Sequence, residues 1–247
     1  MNMAAGPDAT GVSATSSSGY RFVPTTTSVA AGQPTQFRFQ ILGPDAEPVT
    51  DYDLDQTEML HFYLIRDDLT GFQHVHPTLG PDGTWTAPLT ALAPGAYRAY
   101  PQFIAHPAGT QPVPLVLGTA FTVPGHAAPD HPLRAPTPST QVDGYTLTLD
   151  GHVAAGAEGE LTVTVTKAGQ PVTDLQPYLD TYAHLTAFHE GDLAFAHLHP
   201  TGAVNGDHGG PQLSFHATVP EPGRYRMFLQ FQTGGTLHTS AITLVTQ

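Results

Sequence analysis

Apolar and polar residues alternate in short stretches along the chain, and turn-forming residues separate these stretches. Residues 36–42 read Gln-Phe-Arg-Phe-Gln-Ile-Leu, and residues 160–166 read Glu-Leu-Thr-Val-Thr-Val-Thr. A period of two residues is expected of strands that have one face in a core and one face toward water. The Gly, Pro, Asp and Asn residues between the stretches are typical of turns. The pattern therefore predicts an all-β protein built from many short strands.

The strand pattern is present twice, because the two halves of the chain align with each other. Residues 48–77 match residues 171–200 without a gap, and residues 94–103 match residues 222–231. Two copies of about 100 residues, each with roughly seven short strands, are typical of Ig-like β-sandwiches. We therefore predict two tandem Ig-like β-sandwich domains that are related by internal duplication. A cupredoxin-like sandwich is the alternative fold.

Composition sets the expected boundaries of these domains. Residues 1–19 are small and polar and lack periodicity, which predicts a disordered tail. Residues 20–124 form the first predicted β-sandwich, and residues 143–247 form the second. Between them, residues 125–142 are rich in proline and predict a linker.

A histidine motif is repeated with unchanged spacing, although most of the side chains between its members differ. Its members are His61, His74, His76 and Pro77 in the first copy, and His184, His197, His199 and Pro200 in the second. Because side chains alternate along a strand, the two histidines of each His-x-His point to the same face. An isolated His-x-His is common on exposed strands, but two copies that keep all three histidines favour a metal site.

The third histidine joins the other two if the motif forms a hairpin. A turn centred on residues 68–69 pairs His61 with His76 and Tyr63 with His74. The same register in the second copy centres the turn on residues 191–192 and pairs the first histidine of that copy with the third. Directly opposed residues have Cβ atoms about 4.5–5.5 Å apart, so three imidazoles are expected to converge in each domain.

Three converging imidazoles suit a borderline metal ion. Zn²⁺, Cu²⁺ and Ni²⁺ all accept imidazole nitrogen, and Cu²⁺ is bound most tightly on affinity alone. We therefore expect a copper or zinc ion, with metal–nitrogen bonds of about 2.0–2.1 Å. Gln102 and Gln230 match each other on a neighbouring predicted strand. Each is a candidate for a fourth ligand, or for a residue that orients a ligand.

The charge balance and the lack of cysteine exclude several classes of function. The formal net charge is −13, with 8 Lys and Arg residues against 21 Asp and Glu residues, so a nucleic acid would be repelled. Disulfides, zinc–thiolate sites, iron–sulfur clusters and blue-copper centres all need cysteine, and the chain has none. No stretch reaches about 18 consecutive apolar residues, so no membrane span is expected. The 14 histidines are the main source of metal-binding chemistry.

The second half of the chain contains a set of short motifs at residues 171–179 (PVTDLQPYL), His184, and residues 191–194 (GDLA), 197–200 (HLHP) and 225–235 (YRMFLQFQTGG). Through these motifs it resembles a family of bacterial exported proteins that is associated with copper and heavy-metal handling. The resemblance is close over residues 171–245 and looser over residues 48–103, which match through the internal repeat. Members of the family often carry Asp where this chain has Gln230, and loss of that carboxylate would leave a more neutral fourth position.

The resemblance implies a protein outside the cytoplasm, whether secreted, periplasmic or at the cell surface. Residues 1–19 would then be the spacer that follows a removed export signal or lipid anchor, and the alternative is an ordinary cytosolic tail. We expect the protein to bind copper or zinc without catalysing a reaction. Its role would be metal buffering, resistance, or delivery to a metal-handling partner protein.

Two other functions stay open at this point. Tandem β-sandwiches often serve as structural or adhesive modules that bind a protein or a glycan. Three histidines with an open coordination position also resemble a hydrolytic zinc site or a copper oxidase site. The sequence has no His-Glu-x-x-His motif, nucleophile elbow or phosphate-binding loop, which favours a protein that is not an enzyme.

Overall fold

A computed structural model describes most of the chain, which forms two compact all-β units that divide after Pro132. We call them domain 1 and domain 2. The described residues are 10–247 apart from Thr27, Ala128, Asp130, His131, Arg134 and the side chain of His197. The predicted fold class, two tandem Ig-like β-sandwich domains, is confirmed.

Domain 1 folds into two antiparallel sheets. Its strands are β1 (Arg21–Pro24), β2 (Thr35–Leu42), β3 (Tyr52–Asp53), β4 (Leu60–Arg66), β5 (Gln73–Val75), β6 (Thr78–Leu79), β7 (Thr84–Leu89), β8 (Gly95–Ala105), β9 (Val113–Val116) and β10 (Thr119–Val123). One sheet has the order β1-β2-β7-β6. The other has the order β10-β8-β4-β5, and β3 and β9 also pair with β8. Strand β4, which carries the first histidine of the motif, is therefore central in its sheet.

Aromatic side chains fill the core of domain 1. Phe39 stacks on Phe62 with 5.1 Å between the ring centroids, and on Trp85 with 6.4 Å. Phe22 meets Phe39 edge to face at 5.1 Å. All four rings are at most 3% exposed. Burial of one such side chain contributes about 1.5–3 kcal/mol, so this cluster holds β4 firmly against the opposite sheet.

Domain 2 repeats the plan of domain 1, but its strands form one continuous hydrogen-bonded path. They are β11 (Ser139–Val142), β12 (Tyr145–His152), β13 (Glu158–Lys167), β14 (Gln170–Pro171), β15 (Ala183–His189), β16 (Phe195–Pro200), β17 (Gln212–Thr218), β18 (Gly223–Thr233) and β19 (Thr236–Thr246). The order is β11-β12-β13-β17-β16-β15-β18-β19, with β14 beside β13. Strand β16 links the two halves of this path.

A matched tyrosine supports the Ig-like description in both domains. Tyr97 in β8 and Tyr225 in β18 are almost fully buried. The Tyr97 hydroxyl donates to the carbonyl of Ala93 at 3.0 Å, and the Tyr225 hydroxyl donates to the carbonyl of Glu221 at 2.9 Å. A buried tyrosine that bonds the backbone a few residues upstream is the tyrosine corner of Ig-like sandwiches.

Residues 10–19 correct the prediction of a disordered tail over residues 1–19, because they pack on domain 1. The amide of Gly118 donates to the carbonyl of Ser13 at 2.8 Å, and the amide of Phe22 donates to the carbonyl of Ala14 at 2.8 Å. The first bond joins distant parts of the chain and the second joins the segment to β1. Because both are backbone hydrogen bonds, they need no apolar periodicity in the segment itself. The rest of the predicted tail, residues 1–9, lies outside the described residues.

The predicted linker at residues 125–142 is also shorter than expected. Its last four residues form strand β11, which pairs with β12 in domain 2. Proline richness suggested a spacer, but the prolines end at Pro138 and leave Ser139–Val142 free to join a sheet edge.

The docking of residues 10–19 generates a stability prediction. A methyl group added at Gly118 would collide with the carbonyl oxygen of Gly11. Gly118→Ala is therefore expected to lower the free energy of unfolding by about 1–3 kcal/mol. Urea denaturation followed by the fluorescence of Trp85, the single tryptophan, measures this in domain 1. In a chain that starts at residue 14 the same substitution should cost much less, and equal costs in the two chains would contradict the docking.

Candidate metal centre

Strand alternation places the first histidine on the outer face of its sheet. Leu60 and Phe62 of β4 point into the core, so His61 between them points the other way. It lies opposite Gln102 of β8 and is 0% exposed. Backbone pairing of β4 with strands on both sides holds the histidine, so the position of its imidazole is rigidly defined.

The hairpin register is the one that the sequence predicts. Tyr63 pairs with His74 across β4 and β5, and Phe62 pairs with Val75. Continuing this register places His76, the residue after β5, level with His61. The Tyr63 ring also stacks on the His74 imidazole, with 4.4 Å between the centroids and 22° between the planes. This contact fixes the orientation of the second histidine.

The third histidine lies where the chain passes from one sheet to the other. Strand β5 pairs with β4 in one sheet, and β6 pairs with β7 in the other. His76 and Pro77 lie between β5 and β6. Proline has no N–H to donate, so the ladder that β5 makes does not continue through Pro77. The proline of the motif therefore marks the change of sheets.

The three imidazoles of domain 1 converge. The Nδ1 atom of His61 is 3.0 Å from the Nε2 atom of His74. The His76 ring lies 5.0 Å from the His61 ring and 4.8 Å from the His74 ring, nearly perpendicular to both. One nitrogen from each of the three lies within 4.8 Å of the others. Such a cluster can present three neutral nitrogen donors to one metal ion.

Hydrogen bonds determine which nitrogen atoms face the centre of the cluster. The Nε2 atom of His61 donates to the carbonyl oxygen of Asp55 at 2.9 Å, which leaves Nδ1 as an acceptor. The Nδ1 atom of His76 lies 3.7 Å from a carboxylate oxygen of Glu58. The Nε2 atom of His76 is buried and has no hydrogen-bond partner among the described residues. Metal-binding histidines usually give their other ring N–H to a carbonyl or carboxylate, and the bond from His61 to the Asp55 carbonyl is of this kind.

Burial keeps these imidazoles neutral. It lowers the pKa of His61 below its ordinary value, and it lowers the pKa of His76 to about 4, with a further contribution from the neighbouring His61. Only the neutral ring can donate a lone pair to a metal. At neutral pH the rings of His61 and His76 are therefore in the form that can bind a metal.

A tight turn supplies the carbonyl and the carboxylate that face the cluster. Asp55 and Glu58 exchange backbone hydrogen bonds of 2.9 and 3.0 Å, and Gln56 and Thr57 between them have positive φ angles. Gln102, which is 0% exposed, donates from Nε2 to the Asp55 carboxylate at 3.2 Å. Both predicted roles of Gln102, as a fourth ligand and as a residue that orients a ligand, stay predictions.

Sequence reasoning did not select Asp55 and Glu58. The internal repeat points only to residues that both copies share, and the positions in domain 2 that match Asp55 and Glu58 are Tyr178 and Thr181. The available signal was the acidic stretch directly before His61, in which Asp and Glu can bond ring N–H groups. The histidines are found because they are the same in both copies, and the acidic residues around them are missed because they differ.

Domain 2 has the same backbone plan. Leu185 pairs with Leu198 and Thr186 pairs with His197, which is the predicted register. His184 is 1% exposed and lies opposite Gln230, which is 4% exposed. The Gln230 amide donates to the hydroxyl of Thr239 at 3.4 Å.

The third histidine of domain 2 lies at the end of β16. His199 is half-buried and pairs with His216 of β17. The side chain of His197 lies outside the described structure, so a three-histidine site in domain 2 stays a prediction.

Three histidines outside the motif are hydrogen-bonded to carboxylates in the described structure. His106 lies 2.8 Å from Asp53, whose hydrogen bond raises the pKa of that imidazole. His189 lies 2.7 Å from Asp192. His238 lies 2.8 Å from Asp143 and bonds the Thr233 hydroxyl through its other nitrogen at 3.0 Å. Each of the three uses a ring nitrogen in its pair, which gives it a structural role in its own domain.

No helix in the described part of the chain is long and apolar enough to cross a membrane. No curated protein matches the sequence.

The solved structures that this chain is similar to share little sequence with it. Salmonella alpha-2-macroglobulin reacted with methylamine is 9% identical with a TM-score of 0.32, over 95% of this chain and 15% of that one. Domains 4 and 5 of the S-layer protein SbsC are 10% identical with a TM-score of 0.26, over 92% and 96%. The tandem Ig repeats of Dlar are 9% identical with a TM-score of 0.24, over 92% and 97%. This chain thus spans a small part of the macroglobulin, and scores this low carry no argument about function.

One family model matches most of the chain. It covers residues 14–116 and residues 140–247, one match in each domain. The first match begins inside the segment that the sequence assigns to a disordered tail, in agreement with its docking on domain 1. The description of the family gives no function, so the association with copper handling stays a prediction. The chain belongs to the family of the domain of unknown function DUF8832 and contains two copies of that domain.

Proposed function

We propose that the protein binds a transition-metal ion through three histidines in each domain. The proposed ligands are His61, His74 and His76 in domain 1, and His184, His197 and His199 in domain 2. The observation that carries the proposal is the convergence of three ring nitrogens within 4.8 Å in domain 1. The buried Nε2 atom of His76 supports it, because a buried polar atom without a partner costs about 1–3 kcal/mol unless something binds it.

The donor atoms limit which metal is suitable. Three imidazoles suit copper or zinc, whereas magnesium and calcium prefer oxygen ligands. No cysteine is available to select a softer, thiolate-bound metal. We therefore propose a copper or zinc ion as the cargo.

Binding rather than catalysis is the proposed role. A general acid or base must lie within hydrogen-bond reach of the reacting atom. The acidic groups beside this cluster, Asp55 and Glu58, instead face the ring N–H groups of His61 and His76 through a carbonyl and a carboxylate. This arrangement supports a protein that holds its metal for buffering, resistance or delivery to a metal-handling partner.

The proposed location is outside the cytoplasm. It is supported by the resemblance of residues 171–245 to exported bacterial proteins.

Removal of histidines tests the ligand sets. The unmodified protein is expected to bind about two equivalents of Cu²⁺ or Zn²⁺, one per domain, in equilibrium dialysis with metal analysis. His74→Ala combined with His76→Ala should remove about one equivalent, because two of three donors are lost. His197→Ala combined with His199→Ala should remove the other. His152→Ala, at an exposed histidine of β12 that is not paired with the motif, is the matched control and should remove none. Absence of binding at micromolar free metal would contradict the proposal.

Proton competition gives a second test. Burial holds the pKa of His61 below its ordinary value of 6.5 and that of His76 at about 4. Protons therefore displace the metal from these nitrogens only at lower pH than from a free imidazole. Zn²⁺ titrations between pH 7.5 and 4.5 are expected to give a midpoint of release clearly below 6.5. A peptide of residues 73–79, which carries His74 and His76 without burial, is the control and should release Zn²⁺ near pH 6.5. The same midpoint for both would show that burial has no effect.

A further inference from the structure

We infer that Asp55 and Glu58 make the domain 1 centre selective for a divalent cation, and tighter than the corresponding centre of domain 2. The inference rests on the proposed binding of metal by the three histidines. It assigns the two acidic residues a role as positioning and charge-balancing groups around His61 and His76.

Three sets of hydrogen bonds hold the turn that carries these residues. The Asp55 carbonyl accepts from His61, the Asp55 carboxylate accepts from Gln102, and the backbone groups of Asp55 and Glu58 bond each other. The Glu58 carboxylate then lies 3.7 Å from the Nδ1 atom of His76. Because Gln102 is buried and opposite His61 on the next strand, the turn and the histidine are held in one rigid unit.

Both carboxylates lie beside the cluster. The Glu58 carboxylate is 3.7 Å from the Nδ1 atom of His76, and the Asp55 carboxylate accepts from Gln102, which lies opposite His61. A negative charge beside a ligand ring attracts a cation that is bound to that ring. Coulomb energy is proportional to the charge of the ion, so two carboxylates beside three neutral imidazoles favour a divalent ion over a monovalent one.

Domain 2 keeps the turn but has no carboxylate at the two positions that match Asp55 and Glu58. The carboxylate that this turn does carry, on Asp180, is exposed. Tyr178 and Thr181 exchange the same pair of backbone hydrogen bonds, at 2.7 and 3.2 Å, and Leu179 and Asp180 between them have positive φ angles. The hydroxyl of Thr181 bonds the carbonyls of Tyr178 and Ala183 at 3.2 and 2.8 Å. The residue that matches Glu58 thus satisfies the backbone, and it brings no negative charge toward the histidines.

The experiment compares divalent and monovalent ions at the domain 1 centre alone. The full chain with His199→Ala, which weakens the domain 2 centre, serves as the parent. Glu58→Gln and Asp55→Asn remove each charge while keeping the shape of the side chain. Zn²⁺ and Ag⁺ affinities are measured by competition titration in chloride-free buffer, and thermal unfolding checks that each variant is folded.

Glu58→Gln is expected to weaken Zn²⁺ binding by about 10–100-fold, the usual loss when a group that orients a metal-binding histidine is removed. Ag⁺ binding should weaken less. Glu58→Asp should recover part of the Zn²⁺ affinity because it restores the charge, and higher ionic strength should reduce the difference between parent and variant. Glu47→Gln, an exposed carboxylate elsewhere in domain 1, is the matched control and should leave both affinities unchanged.

The outcomes separate the inference from the proposed function. If the parent binds Zn²⁺ and Glu58→Gln binds it equally well, or loses Zn²⁺ and Ag⁺ affinity to the same extent, the role of the charges is overturned and metal binding stands. If the parent binds neither ion, the proposed function itself is overturned. The last comparison is between the two centres. His74→Ala leaves the domain 2 ligands intact, and His197→Ala leaves the domain 1 ligands intact. Tighter Zn²⁺ binding by the His74→Ala chain than by the His197→Ala chain would also overturn the inference.

Discussion

The hydrogen-bonded pairing of β4 with strands on both sides is the constraint on which the domain 1 centre depends. Because β4 lies between β5 and β8, its residues alternate strictly between the aromatic core and the outer face. Packing of Phe62 in the core sets the orientation of the strand, and this orientation places His61 on the outer face. The same pairing sets His74 beside Tyr63 and Gln102 beside His61. The position of each of these side chains follows from the register, so a shift of one residue would place the histidine in the core and a phenylalanine outside.

The register and the histidine cluster could be predicted from the sequence because both follow from local rules. Alternation, a turn between two strands, and an internal repeat with equal spacing were enough to place His61, His74 and His76 together. The docking of residues 10–19 could not be predicted in this way. It depends on close backbone approach between Gly11 and Gly118, which are far apart in sequence and have no side chain that shows a pattern.

Asp55 and Glu58 illustrate a different limit. An internal repeat identifies what two domains share, and it hides what one of them has alone. The backbone of the turn is the same in both copies, while the side chains that it presents differ in charge. Duplication has therefore kept the parts that decide folding, namely the register, the turn and the tyrosine corner. The side chains that this turn presents to the histidines differ between the copies, since a change of side chain on a preserved turn has little effect on the fold.

The change of sheets at His76 and Pro77 has a mechanical consequence. In a sandwich, the two layers are held mainly by apolar side chains, which resist separation but allow sliding. An ion bound to His61 and His74 in one sheet and to His76 at the crossing point would link the two sheets where the chain passes from β5 to β6. A pulling force along the chain would then have to break metal–nitrogen bonds before the two sheets could slide past each other. The bound ion would therefore increase the mechanical stability of the domain.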